Sequence, residues 1–470
     1  MAQVVDGDSF LMRADSAPSV LASRLPVAGL RRGRHASIAA VCLASCLAAL
    51  GAQAPRPAAG QHWVATWATA QTLVQGTGLG GARVQQSSAA RTSPPATPRQ
   101  PGAPGRRFRV PPTLSTVTDQ TIRMVVRVSI GGSRVRVRLS NAYGAASVTV
   151  GAARIARSSG GSAVDRATSR ALTFSGRPSA TLYAGQILVS DPVDLVVPPL
   201  TDLAISLYVP GEITAPTQHL FALRSTYISA AGDFTDAADI TSPATTTQSY
   251  YWLSGIDVLA PPAAGVIVAF GDSITDGDQS TPEKLASWPS VLAARLQTAR
   301  PPSPLAVVNE GISGNRLLGD DGSGIVRVER DVFSQPGVTW ITLLEGINDI
   351  TSAMRQSSTA FSADDLIAAY RQVIEQAHAR GIRVAGCTLT PFEGSSAYSE
   401  PGERIRTSVN DWIRTSRAFD AVIDFDRMVR DPAHPARFRP EADSPDLLHP
   451  GDAGYKVMAD GIDLAIFRRR

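Results

Sequence analysis

The hydrophobic pattern of this chain changes period once, at Pro261-Pro262, and the change divides it into two folding problems. Before that point the apolar residues come in short alternating runs separated by Gly and Pro, the mark of strands with one buried face. Residues 121–141 alternate and are broken at Gly131-Gly132-Ser133, which predicts a half-buried β-hairpin with a tight turn. Val135, Val137 and Leu139 should face inward, leaving Arg134, Arg136 and Arg138 on the other face, read as a solvated sheet surface in preference to a basic binding strip. Further runs at 147–150, 171–174, 186–189 and 202–209 complete the pattern of an all-β sandwich. After Pro262, compact apolar strands are expected at 266–270, 306–309, 339–344, 382–388 and 421–425. Helices are expected at 288–296, 363–380 (ending at Gly381) and 403–417. Strands that alternate with helices imply a parallel sheet covered on both faces.

With 43% hydrophobic and 18% charged residues, the 470-residue chain has enough apolar material for packed cores and does not read as disordered. Its 45 basic and 41 acidic side chains nearly cancel, so no nucleic-acid partner is expected. Only Lys284 and Lys456 are lysines, which leaves two candidates for Schiff-base chemistry. Arg31, Arg32 and Arg34 precede an apolar run at 36–50 and small residues at 51–54, the layout of a secretory signal. That run falls short of the roughly twenty residues a membrane-spanning helix requires, so no stable membrane span is expected in the mature protein. Leu43-Ala44-Ser45-Cys46 resembles a lipoprotein box, but the apolar run continues past Cys46, and ordinary cleavage near Ala54 fits it better. Cys387 is then the one cysteine left, and no internal disulfide is expected. The expected organisation is a signal with its extension over 1–54, a β-rich domain over 55–262 and an α/β domain over 263–470. A Gly/Pro/Ser-rich loop is expected at about 76–112; its Gly76-Thr77-Gly78-Leu79-Gly80-Gly81 matches a dinucleotide fingerprint by chance, because no strand and helix flank it.

Chemistry concentrates at the expected strand ends of the second half. Gly271-Asp272-Ser273 follows the strand at 266–270, which puts Ser273 at the carboxyl edge of a parallel sheet, where such folds bind ligands. A serine needs a base and a group that orients the base. Of the six histidines, His449 stands out: Asp446-Leu447-Leu448-His449 places a carboxylate three residues before an imidazole, a spacing that taken alone is more often a turn or helix cap than a catalytic pair. An acyl-transfer site also requires donors for the developing oxyanion. Gly314, in Gly311-Ile312-Ser313-Gly314-Asn315, and Asn348, in Gly346-Ile347-Asn348-Asp349, follow the next two strands. Each taken singly also reads as an ordinary turn or a local backbone partner.

Taken together, Gly271-Asp272-Ser273, Gly314, Gly346-Ile347-Asn348-Asp349 and Asp446 to His449 resemble the four blocks of the SGNH hydrolases, the GDSL esterase and lipase superfamily. The resemblance covers about 264–470, and Ile274 stands where the superfamily's name has Leu. It implies a flavodoxin-like three-layer α/β fold, Ser273 as nucleophile, His449 as general base and acid, and Asp446 as its orienter. It also implies an oxyanion hole made by Ser273, Gly314 and Asn348, with no metal and no cofactor. The preceding segment, with Trp63-Val64-Ala65-Thr66-Trp67-Ala68, is similar to the β-rich part of secreted bacterial members; here Trp63 and Trp67 read as core residues more than as a sugar platform. The expectation is a secreted or periplasmic esterase acting on small-molecule or glycan esters, with acetyl or other short acyl groups favoured because no conspicuous apolar lid is present. The alternatives are a lipase or lysophospholipase with the same site, and an inactive glycan-binding protein. No HExxH, Walker lysine or GxSxG motif occurs to support a metalloprotease, P-loop or ordinary α/β-hydrolase reading.

Overall fold

The structure, a computed structural model, describes residues 60–72, 113–320, 322–358 and 360–468. The expected signal, the Cys46 box and the loop at 76–112 lie outside the described residues. Within the chain, Pro57–Arg470 forms one compact unit.

The first half is built from antiparallel strands: β1 (His62–Ala68), β2 (Thr116–Arg127), β3 (Gly132–Ser140), β4 (Ala152–Gly160), β5 (Val193–Val197), β6 (Asp202–Thr214), β7 (Thr226–Ala231), β8 (Thr245–Thr247) and β9 (Leu253–Ala260). One sheet runs β1-β9-β3-β5 and the other β8-β7-β2-β6-β4. Val135, Val137 and Leu139 are fully buried, as their alternation predicts. The expected hairpin is absent: β2 and β3 lie in different sheets. Alternation sets which side of a strand is buried and says nothing about its neighbour. Here Val126, Val128 and Ile130 are all buried, so the chain crosses the core after β2 instead of turning at the surface. Thr66 ties down the crossing, its Oγ1 donating to Ile130 O at 2.7 Å and accepting from Ile130 N at 2.9 Å.

The arginine face also departs from expectation. Arg136 and Arg138 both pair with the fully buried Asp257 of β9, at 2.8 and 3.1 Å, and Arg136 stacks on Trp63 at 4.5 Å. Arg138 further donates to Gln335 at 2.6 Å, and Gln335 donates to Glu310 at 2.8 Å, so this side of the sheet faces the second half of the chain and not water. Its buried guanidinium is tolerable because it is paired. Trp67 packs edge-on against Tyr250 at 5.1 Å, so both tryptophans are half-buried parts of the packing.

The second half carries β10 (Gly265–Gly271), β11 (Leu305–Gly311), β12 (Val338–Leu344), β13 (Arg383–Cys387) and β14 (Ala421–Ile423), all parallel, in the order β11-β10-β12-β13-β14. Counted along the chain this is 2-1-3-4-5, an order that reverses direction at β10 and opens a crevice at its carboxyl end. The connecting helices are α1 (Ser273–Asp276), α2 (Trp288–Thr298), α3 (Ile347–Arg355), α4 (Ala363–His378), α5 (Glu400–Thr415) and α6 (Asp452–Gly461). Every residue of β10 is buried, the burial expected of a central parallel strand. Helix α4 starts in a Ser362/Asp365 capping box and buries Leu366, Ala369, Tyr370, Val373, Ile374 and Ala377. Each large apolar side chain so buried contributes about 1.5–3 kcal/mol. Strand β11 lies at the edge of the sheet, where Val307 N donates to Ser129 Oγ at 2.9 Å, and Ala65 N donates to Pro336 O at 2.8 Å. One hydrophobic cluster includes residues of both halves. Among the described residues no helix is long and apolar enough to cross a membrane.

Candidate active site

Strand β10 ends at Gly271, and Asp272 caps α1 by accepting Ile274 N at 2.9 Å, which brings Ser273 to the first position of a helix at the crevice. The approach is too close for larger residues. A Cβ on Gly271 would lie 2.5 Å from Leu344 O, and one on Gly311 would lie 2.3 Å from Asp276 N. Glycine at both positions lets the ends of β10, β11 and β12 converge around Ser273.

His449 reaches Ser273 from the turn before α6. Ser273 Oγ donates to His449 Nε2 at 2.7 Å, and His449 Nδ1 donates to Asp446 Oδ2 at 2.7 Å. The other Asp446 oxygen accepts the N–H groups of Leu448 and His449, each at 3.0 Å, and Ser444 Oγ at 2.9 Å. These bonds fold the turn so tightly that Leu447 takes φ +59°, a left-handed conformation that costs a non-glycine residue energy.

Burial opposes ionisation of Asp446, yet the hydrogen bonds and charge of His449 outweigh it and hold the carboxyl below its usual range. Burial likewise depresses the imidazolium of His449. The bond to Asp446 and the charges of Asp278, Asp446 and Asp272 outweigh that and raise its pKa.

Two further strand ends face the same crevice. Gly314 has φ +78°, a conformation that favours glycine, and open space where its Cβ would be. Asn348, the second residue of α3, spends one amide hydrogen on Asn315 O at 2.9 Å, leaving the second available. Asp349 secures the loop by accepting Leu317 N at 2.9 Å and Leu318 N at 2.8 Å. Beneath the site, buried Arg327 donates to Asn315 Oδ1 at 2.8 Å, Glu310 O at 2.7 Å, Gly271 O at 2.9 Å and Glu345 Oε1 at 3.2 Å. One guanidinium thus fixes the carboxyl ends of β10 and β11 and the residue after β12. Of the five expected site residues, Ser273 lies in α1, Asn348 in α3, Gly314 in the loop after β11, and Asp446 and His449 in the turn before α6, and hydrogen bonds join Ser273, His449 and Asp446 directly.

Sequence reasoning passed over several neighbours. Asp278 Oδ2 lies 3.9 Å from His449 Nε2, is buried and has no hydrogen-bond partner; burial raises its pKa to about 6. Burial also pushes Asp272 up to about 7. Asp278 was detectable, as an acidic residue five positions after the candidate nucleophile. Arg327 and His219, which bonds to Asp276, carry no signal in the sequence, because their partners are remote along the chain. Among the described residues no cluster of His, Cys, Asp or Glu is arranged to hold a metal ion.

A hydroxyl within bonding distance of a carboxylate-held imidazole, at the carboxyl edge of a 2-1-3-4-5 sheet, belongs to the chemistry of acyl transfer, and the protein is a carboxylic ester hydrolase. Residues 269–457 match the model of the GDSL-like lipase/acylhydrolase family. Similar solved structures include a variant of Axe2, an acetyl-xylooligosaccharide esterase from Geobacillus Stearmophilus, with 21% identity and TM-score 0.35 over 44% of this chain and 96% of that one. A member of the lipolytic protein G-D-S-L family from Veillonella parvula shows 20% identity and TM-score 0.30 over 42% and 96%. A GDSL-like lipase from Bacteroides thetaiotaomicron shows 20% identity and TM-score 0.31 over 43% and 87%. No curated protein matches the chain.

Proposed function

We propose that the protein is a secreted serine esterase that hydrolyses short acyl esters, acetyl esters of carbohydrates foremost, through an acyl-enzyme on Ser273. The observation that carries the reading is the unbroken chain Asp446–His449–Ser273, with both links at 2.7 Å. With Nδ1–H committed to Asp446, neutral His449 presents the Nε2 lone pair to Ser273. As Oγ attacks the acyl carbon, its proton passes to Nε2, and the carbonyl oxygen becomes an oxyanion held by the N–H groups of Ser273 and Gly314 and the free amide hydrogen of Asn348. Collapse breaks the bond to the alcohol, which leaves with the proton from Nε2. Water then repeats the attack on the acyl-enzyme, giving its proton to Nε2, and Ser273 regains a proton as the acid departs. Asp278 faces the imidazolium that forms at each attack and favours it electrostatically.

The preference for short acyl groups rests on the polar loops that frame Ser273. Residues 277–284 are Gly, Asp, Gln, Ser, Thr, Pro, Glu and Lys, and in the loop after β11 Leu317 is turned into the core. In this reading the α/β part is a three-layer domain over 263–470, the β-rich domain spans 55–262, and residues 1–54 are a signal removed on export to the periplasm or medium. Ser273→Ala tests the nucleophile: hydrolysis of p-nitrophenyl acetate should vanish in a folded variant, and unchanged turnover would remove the assignment. Fluorophosphonate should label Ser273, which separates an esterase from an inactive glycan-binding protein. A series of p-nitrophenyl esters and acetylated sugars tests the substrate class, and a maximum at long chains would point to a lipase or lysophospholipase.

A further inference from the structure

A second imidazole–carboxylate pair lies behind the first. His219, on the short strand Gln218–His219 of the β-rich half, is buried, with Nδ1 2.9 Å from Ala70 O and Nε2 3.1 Å from Asp276 Oδ1. A carbonyl and a carboxylate only accept, so both bonds form only when the ring carries two protons. Asp276 passes the link onward. Its Oδ2 accepts Ser313 N–H at 3.0 Å and Ser313 Oγ–H at 2.8 Å, and Ser313 directly precedes Gly314. Asp276 also ends α1, the helix that begins with Ser273. One carboxylate therefore joins the helix of the nucleophile to the loop of a candidate oxyanion donor, and it is anchored from the other half of the chain.

We propose that protonated His219 is a positioning residue for the oxyanion donors: through Asp276 it holds Ser313, and with it the Gly314 N–H, where the substrate's carbonyl oxygen becomes negative. The proposal rests on the assignment of Ser273 and Gly314 made above and makes that site dependent on the β-rich half. Losing the proton leaves one ring nitrogen facing an oxygen lone pair in a buried setting, which breaks one of the two bonds.

The groups around the ring are few. Asp276 faces it from α1, the Tyr250 ring stacks on it at 6.4 Å, and beyond Tyr250 lies Arg224, paired with Asp202 and Glu283 at 3.2 Å each. Burial alone would lower the pKa of His219, but Asp276 and the backbone carbonyls outweigh it and raise the value. The link is accordingly intact below that raised pKa and lost as pH climbs through it. His449 acts in the opposite sense, since it must be neutral to accept the proton of Ser273. On this reading kcat should fall on the alkaline side as His219 loses its proton.

His219 and Asp276 also line a cavity of 310 Å³ with Trp67, Phe221 and Tyr250, room for a small molecule to replace the ring. The test measures kcat and KM for p-nitrophenyl acetate across pH in the wild type, Ser273→Ala, His219→Ala and His219→Gln. Loosening one donor should cost less than the 10²–10³-fold of deleting one, so His219→Ala should lower kcat about ten- to a hundredfold with KM nearly unchanged and should lose the alkaline limb. Added imidazole should restore kcat most where it is protonated. His219→Gln, which keeps an N–H for Asp276 and most of the volume, should lose the limb with a smaller fall in kcat, and it decides the matter if His219→Ala does not fold. An alkaline limb that persists in folded His219→Gln, or an unchanged kcat in folded His219→Ala, would overturn the proposal. Turnover that survives Ser273→Ala is a different failure, that of the serine assignment itself.

Discussion

His449 and His219 each lean on an aspartate, yet their surroundings ask different things of the ring. His449 meets a carboxylate on one side and a hydroxyl on the other, so a neutral imidazole satisfies both and can still take up a proton. His219 meets two acceptors, so only the cation satisfies both. The first pair is local, three residues apart on one turn; the second spans 57 positions and joins the two halves of the chain. On the proposed roles, a His–Asp pair suits proton exchange when a group that can both donate and accept occupies the far nitrogen, and suits holding when that place is filled by a pure acceptor.

The comparison can be broken outright at His449. His449→Ala should reduce turnover of p-nitrophenyl acetate by about 10⁴–10⁶-fold with the fold intact by circular dichroism, since the members of such a unit act together. A loss as small as that expected at His219 would erase the distinction. Asp446→Asn should cost about 10²–10⁴-fold in kcat. An equal loss to that of His449→Ala would mean the carboxylate does more than orient the ring. Asp278→Asn sharpens the account of the imidazole's environment. Its ionised carboxylate raises the pKa of His449 and is itself half-ionised at about pH 6, so removing it should move the acid limb of kcat/KM to lower pH while kcat falls less than about tenfold. A limb that moves to higher pH, or stays in place, would contradict that charge placement. The smallest effect is expected at the seam between the halves: Ser129→Ala removes the acceptor for Val307 N and should lower stability by about 1 kcal/mol in urea denaturation, with little change in kcat.

The fate of these residues in the sequence follows from how far apart their partners lie. Strands β10 to β13 and helices α2, α4 and α5 were legible to within a few residues, because one buried strand such as β10 or one apolar stripe such as that of α4 writes its own period. The five candidate site residues stood out in the sequence because each lies within a few positions of a readable strand or sits within a short turn. The partnering of β2 was not, since alternation fixes a face and leaves the neighbour open. The burial of Arg138 was missed for a related reason: Asp257 and Gln335, which neutralise and cover it, are 119 and 197 positions away. Arg327 looks like any surface arginine in the sequence, although in space it binds together three strand ends.

Strand β11 is the terminal strand of its sheet, and the chain preceding residue 262 supplies a hydrogen-bond acceptor to its outer side through Ser129. A fragment beginning after Pro262 would bare that ribbon of amides and carbonyls, a ready template for another copy to add on to. The β-rich half thus doubles as a cap against self-association. A shortened protein should fail first by clumping, even where each residue needed for hydrolysis is still present.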